Sequence, residues 1–281
     1  MRMIARIFLL LALVSMDLNA AGAKRIISTA PSITETLFAM GLGPRVVGVT
    51  IFCKFPPEVE KLPKIGTFVK PDMEAILALK PDLVIVQKQP NRAPEQLTRL
   101  HVPFVEVDSS NLDDIYAGAR LIGKATGASD GAERMIRNMQ SQLQNIGKLT
   151  AGRPRLTVAF LVGHENGRLE GMVAGSGQCY FSDLLNYAGG TNIFADAPVP
   201  YLKVSLEDII ARDPDVIMEL KDHAESKPQE AMTLWRGKRT LKAVRTGRVY
   251  ALEQDPFVVP GPRAVAATTQ LLHLLHPEIK P

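Results

Sequence analysis

The stretch Pro71–Val86, "PDMEAILALKPDLVIV", reads as a short amphipathic helix running into a buried strand. It returns between Ser205 and Met218 as "SLEDIIARDPDVIM". Glu74, Ile76, Ala78, Pro81 and Asp82 recur as Glu207, Ile209, Ala211, Pro214 and Asp215, all at an offset of 133 residues. A chain that builds one helix–strand element twice at that spacing is expected to hold two related units, since domains commonly run to roughly 100 to 150 residues.

The surrounding sequence fits that expectation. "RIIST" from Arg25 is apolar and β-branched, and "PSITETLFAMG" opens on an apparent capping box of Ser32 and Glu35 and stops at Gly41. "RVVGVT" and "VPFVEVD" read as further strands, and "EQLTRL" begins a helix. From Ser129 to Leu149 the pattern changes: Met135, Ile136, Met139, Leu143 and Ile146 recur at helical intervals, with no glycine between Ala132 and Ile146. After "AGRPR" the alternation resumes through "LTVAFLV", "YFSDLLNYAGG", the repeated element and "GRVYAL". Gly41 and Gly189, which end comparable helices, lie 148 residues apart, so the second copy has the shorter connecting loop.

Strands alternating with helices predict parallel sheets. The expected fold is α/β: two Rossmann-like lobes with mainly parallel sheets, residues 24–126 and 151–281, joined by one long backbone helix over residues 127–150. The ligand cleft then lies between the lobes, beyond the carboxyl ends of the strands. A connecting helix without an internal proline or glycine cannot bend without breaking backbone hydrogen bonds, so the lobes are expected to move little.

The first 23 residues carry Arg2 and Arg6, an apolar run from Ile7 to Val14, and small residues ending at Ala23. That is the pattern of a cleavable secretory signal peptide. The run is far short of the roughly 20 residues that cross a bilayer. No cysteine lies near the cleavage site to carry a lipid, which favours a protein released into a bacterial periplasm. With 46% hydrophobic and 22% charged residues the chain can bury substantial cores. Its net charge of +4 is spread along the sequence with no basic run, so no nucleic-acid partner is expected.

Four segments carry a family resemblance: "RIISTAPSITETLFAMG", "GVTIFCKFPPEVEKLPKIGTFVKPDMEAILALKPDLVIV", "LLNYAGGTNIF" and "LKAVRTGRVYALEQDPFVVPGPR". In this order they resemble the periplasmic binding proteins of cobalamin, siderophore and haem importers, over nearly all of the mature chain. The resemblance implies two lobes bridged by a rigid helix, a ligand in the cleft, and delivery to an ATP-driven permease complex of the inner membrane. The first-lobe stretch looks most like the cobalamin-binding branch, which implies a cobalt corrinoid such as vitamin B12 as ligand, with a ferric siderophore or haem as the alternatives. Haem receptors commonly carry a tyrosine just before the first-lobe helix, where this chain has "GTFVKPD". A monomer with no resident cofactor is expected.

Phe68 and Tyr201 occupy matching places before the two repeated helices, where cobalamin receptors tend to carry tryptophan facing the flat corrin. They are read either as a platform for a flat ligand or as loop-anchoring core aromatics. Phe52, Cys53 and Phe55 follow the second strand, and Ser176, Cys179 and Tyr180 precede a second-lobe helix; both clusters are expected at the cleft. Ser32, at the start of the first helix, joins them. Two cysteines in an oxidising compartment invite a disulfide, but a Cys53–Cys179 bond would tie the lobes across the cleft mouth, so free thiols are expected, with thiolate contact to a metal as the lesser alternative. His164 ends the first strand of the second lobe, within reach of a cobalt or iron centre. Asp255, Phe257 and Arg263 lie in "EQDPFVVPGPR": the carboxylate is suited to ligand amides, the guanidinium to ligand carboxylates or to a loop-holding salt bridge, and Pro262 to starting the last helix. Trp235 is assigned to packing. His101, His223, His273 and His276 are scattered, and no set of protein ligands for a bare metal ion is expected. The resemblance assigns Glu74 and Glu207 to docking, one on each half of the permease.

Neither a nucleophile elbow, a phosphate-binding loop nor a dinucleotide fingerprint occurs. The competing class is a two-lobed tetrapyrrole chelatase, which export disfavours. A binding protein, and not an enzyme, is expected.

Overall fold

A computed structural model describes residues 22–89, 92–165, 168–220 and 233–279. Most of the leader, and His223, lie outside the described residues. The first lobe is a four-stranded parallel sheet of β1 (Ile26–Ser28), β2 (Val46–Val49), β3 (Leu83–Gln87) and β4 (Phe104–Val107), in the order β2-β1-β3-β4. Helices α1 (Pro31–Ala39), α2 (Met73–Ala78), α3 (Ala93–Arg99) and α4 (Leu112–Thr126) connect and cover it. The central strands β1 and β3, buried throughout apart from the half-buried Gln87, suit a sheet covered on both faces.

The second lobe follows the same plan with an addition. β5 (Leu156–Gly163), β9 (Val216–Leu220) and β10 (Val249–Leu252) run parallel, and β7 (Gly190–Asn192) pairs parallel to the start of β5. Beside the other end of β5 lie β6 (Met172–Gly175) and β8 (Tyr201–Val204), both joined by antiparallel pairing. Tyr201, expected in a loop, therefore opens an edge strand. The helices of this lobe are α6 (Tyr180–Tyr187), α7 (Leu206–Arg212), α8 (Lys242–Arg245) and α9 (Ala264–Leu275).

The lobes are joined by α5 (Ser129–Thr150), a 22-residue helix about 33 Å long at 1.5 Å per residue. It begins after Gly127, which ends α4 at φ 68, a left-handed conformation that glycine adopts without strain. One face, Met135, Ile136, Met139, Leu143 and Ile146, is buried. These residues belong to a core that runs without interruption from Ile26 and Ile85 of the first lobe to Phe160, Met218 and Leu271 of the second.

The repeat is structural as well as textual. Ile76 and Ile209 are fully buried, each in the outer core of its own lobe. Lys80 (φ 47) and Asp213 (φ 35) both turn the chain through the left-handed region. Asp82 then accepts the backbone N–H of Arg25 at 2.9 Å, and Asp215 that of Thr157 at 2.8 Å, so each carboxylate pins the start of its lobe's first strand.

Two local expectations are corrected. Ser32 and Glu35 form no capping box: Pro31, whose missing N–H costs nothing in a first turn, starts the helix two residues early, behind an uncapped Ala30. Pro262 does not start α9, which begins at Ala264 behind Arg263.

Candidate functional site

The carboxyl ends of β1 and β3 and the loop after β4 bring three polar side chains together. The Ser32 hydroxyl lies 3.4 Å from Gln87 Oε1, and Gln87 Nε2 donates to Ser109 Oγ at 2.9 Å. Ser109 lines a cavity of about 250 Å³ between the lobes, whose remaining wall is largely aromatic: Phe160, Tyr180, Phe181, Tyr201 and Phe257. Phe160 stacks on Phe181 with centroids 3.5 Å apart, and Phe257 leans on Phe181 at 6.1 Å.

Around the first lobe's edge the aromatics are exposed instead. Gly66 sits at φ 82, where an added Cβ would lie 2.8 Å from the Lys70 carbonyl oxygen, so the turn over residues 66–70 requires glycine. That turn presents Phe68, whose carbonyl accepts from Gln89 Nε2 at 2.6 Å. The Ile51 N–H bonds to the Gly66 carbonyl and draws the preceding loop alongside, so Phe52 meets Phe68 edge to face at 5.9 Å. Phe52 is 47% exposed, Phe68 36% and Tyr201 55%. All three are surface aromatics and not the core anchors that burial statistics favour.

Several expected residues have other employment. Cys53 is 1% exposed, its Sγ 3.2 Å from the hydroxyls of Thr34 and Thr50. Cys179 donates to the Ser176 carbonyl at 3.0 Å, and burial pushes its thiol pKa up, away from thiolate. Both thiols are free and buried, and Cys179 lies in the wall of the cavity between the lobes. Ser176 is fully buried, its hydroxyl accepting the Gln178 N–H at 3.0 Å to shape the turn before α6. His164 Nδ1 bonds to the Glu165 carbonyl at 2.7 Å, and its Nε2 lies 3.7 Å from Glu219. Glu219, on the strand face opposite the cavity, also accepts the indole N–H of Trp235 at 2.9 Å. His164 is thus turned towards the outer core of the lobe, and Trp235 is packed there as expected.

Arg263, read for ligand carboxylates or for a loop-holding salt bridge, makes salt bridges, and one of them joins the lobes. Its guanidinium grips Glu35 of α1 through Nε at 2.9 Å and Nη2 at 2.5 Å, pairs with Asp255, and lies 4.6 Å over the Phe55 ring. Glu35 is buried, and desolvation raises its pKa despite the opposing hydrogen bonds from Arg263. Asp255 is accordingly spent on Arg263, and Phe257 and Tyr180 are buried wall residues. A second tie crosses nearby, where Asp183 of α6 accepts the Leu112 N–H at 2.8 Å. Sequence reasoning missed the Glu35–Arg263 pair, Gln87, Ser109 and the Phe160–Phe181 stack. Only Gln87 left a trace, as a polar residue closing an apolar strand.

Residues 26–256 match the family model described as periplasmic binding protein. The chain belongs to the periplasmic binding protein family. Within this family it is 30% identical over 251 residues to the vitamin B12-binding protein of Pectobacterium carotovorum, spanning 88% of this chain and 87% of that one. Among solved structures it is similar to the periplasmic vitamin B12-binding protein BtuF of Vibrio cholerae, with 27% identity, a TM-score of 0.75, and coverage of 90% of this chain and 97% of that one. It is also similar to the periplasmic haem-binding protein RhuT of Roseiflexus sp. RS-1, with 27% identity, a TM-score of 0.78, and coverage of 91% and 99%. The two-lobed α/β arrangement is the fold of these periplasmic binding proteins. No helix among the described residues is long and apolar enough to cross a membrane.

Proposed function

We propose that this chain captures a corrinoid in the periplasm, after removal of its leader, and delivers it to an inner-membrane ABC permease without altering it chemically. The observation that carries this reading is the pair of exposed aromatic edges, Phe52 and Phe68 on one lobe and Tyr201 on the other, above an aromatic-lined cavity. A broad, flat ligand is bound by apolar area, with a few polar groups fixing its orientation. A cavity of about 250 Å³ is too small to enclose such a ligand, so the body of the corrinoid lies on the rim and only a projecting group enters. Ser109 and Ser110 at the cavity edge supply hydroxyls for side-chain amides of the ring. The likeness to vitamin B12-binding proteins over most of both chains supports the same ligand class.

One observation favours a second reading. Tyr201 lies at the rim, more than half exposed as a residue, and a phenolate is a known axial ligand of haem iron, although burial around the hydroxyl raises its pKa and a bound iron would have to offset that. The ligands separate by spectrum. Protein incubated with cyanocobalamin and desalted is expected to retain it one to one, with cobinamide competing. Retention of haem, with an iron–phenolate band lost in Tyr201→Phe, and no retention of either corrinoid would overturn the corrinoid reading.

A further inference from the structure

Across Ser110 and Pro200, which border both, the aromatic cavity adjoins a second and larger one of about 790 Å³ between the start of α4 and α6. Its wall is polar and acidic. Among the described residues that line it none is a lysine, arginine or histidine, and two are carboxylates, Asp113 from the first lobe and Asp183 from the second. The Asp113 side chain has no hydrogen-bond or ion-pair partner among the described residues. Asp183 accepts the Leu112 N–H on Oδ2 at 2.8 Å, which leaves Oδ1 open. Asp108 nearby is by contrast occupied, by the N–H of Ser109, the hydroxyl of Ser110 and the ammonium of Lys88.

Tyr116 lines the same cavity. It is 6% exposed, and its hydroxyl is buried without a hydrogen-bond partner. Burial, then the neighbouring Tyr187, Asp113 and Asp183, pushes its pKa up to about 12, so it stays a neutral donor among groups that do not reach it. An orphaned buried hydroxyl is costly, and a ligand group that pairs with it recovers that cost. Asp183 is half-buried, and burial together with Asp113 and Asp114 raises its pKa despite the Leu112 N–H. Any further anion placed here would meet the same opposition.

These open groups are the complement of a primary carboxamide. Its NH2 donates to the free carboxylate oxygens, and its carbonyl accepts from the Tyr116 hydroxyl. Reaching that hydroxyl takes a side-chain rotation of the kind common on binding. A carboxylate of the same shape has no N–H to give and is repelled by both aspartates. We infer that the cavity between α4 and α6 is an amide subsite, which seats a peripheral carboxamide of the corrinoid and rejects flat chelates whose edge carries carboxylates. The inference rests on the reading of this chain as a corrinoid carrier and names what that carrier selects. Aromatic area on the rim gains from any flat ring, whereas Asp113 and Asp183 separate an amidated ring from an acidic one.

The test is calorimetry near neutral pH on the purified protein, with cyanocobalamin and its b-, d- and e-monocarboxylic acids, each of which has one propionamide converted to a carboxylate. At least one acid is expected to bind about tenfold or more weakly than the parent amide, and Asp113→Asn with Asp183→Asn to shrink that gap to about threefold or less. Asparagine at 183 keeps an acceptor for the Leu112 N–H. Should the double variant not fold, Asp113→Asn alone, at an exposed position, carries the same comparison. Tyr116→Phe is expected to raise the melting temperature of the free protein and to weaken cyanocobalamin several-fold; a merely structural hydroxyl would leave the affinity unchanged. Equal affinity for all four corrinoids, or a gap that survives the loss of the aspartates, would overturn the inference and leave the corrinoid reading standing. Binding of no corrinoid would overturn that reading instead. Haem and its dimethyl ester then replace the pair: tighter retention of the ester upholds the rejection of carboxylates, and equal or tighter retention of haem overturns it.

Discussion

The two lobes share a helix–strand element down to a left-handed residue, yet they meet the cleft differently. The first lobe, wholly parallel, ends in loops that leave Phe52 and Phe68 on the surface. The second adds the antiparallel pair β6 and β8 and folds Phe160, Phe181 and Phe257 into a cavity wall, leaving Tyr201 at the rim. The lobes thus share what holds each sheet and differ in what faces the cleft. One lobe offers a platform, the other a recess.

The largest effects should fall on the shared part and be equal in both lobes. Ile76→Ala and Ile209→Ala each remove a fully buried side chain and are expected to cost about 2 to 5 kcal/mol in urea denaturation. A cost confined to one lobe would break the equivalence. Next comes the joint between the lobes: Arg263→Met leaves Glu35 buried without its partner, with an expected loss of about 3 kcal/mol. Adding Glu35→Gln should recover part of that loss, which a double-mutant cycle would read. Small-angle scattering is expected to change little on ligand binding in the native chain, whose lobes share Arg263 and a continuous core.

Smaller effects should separate platform from recess. Phe52→Ala with Phe68→Ala is expected to weaken cyanocobalamin binding by about 1 to 3 kcal/mol, measured by calorimetry, without loss of stability, because both rings are already exposed. The smallest effect concerns Asp215. Burial works to raise its carboxyl pKa, but hydrogen bonds from Lys242 and Thr157 outweigh it and hold the pKa below 3.8. A depressed carboxylate contributes stability above its unfolded pKa and loses it as pH falls through the folded value. Asp215→Asn should therefore flatten the acid limb of stability below about pH 4, visible in melting temperature against pH.

The architecture was legible because periodicity and repetition report on backbone and burial, which act locally. The heptad-like spacing of Met135, Ile136, Met139, Leu143 and Ile146 marks one helix face without knowledge of its neighbours. The candidate site was less legible because its decisive contacts are distant in sequence. Nothing near Arg263 announces that its carboxylate partner lies at Glu35, and an apolar run such as β5 does not distinguish a core phenylalanine from Phe160 on a cavity wall. Cys53 and Ser176 were placed correctly along the chain and wrongly in depth. A loop's position after a strand predicts which end of the sheet it occupies, and side-chain direction within the loop is decided by turns such as that at Gly66.

The uninterrupted core through α5 makes this receptor a single cooperative unit. A hinge of flexible strands would let one half melt while the other persisted; here, unfolding either half strips the apolar face of α5 that the other half needs. Calorimetry should accordingly record one peak, with calorimetric and van't Hoff enthalpies in agreement. Any ligand that touches only one lobe will then raise the melting point of both by mass action, so thermal shift against a panel of metal chelates becomes a direct assay for what this chain carries.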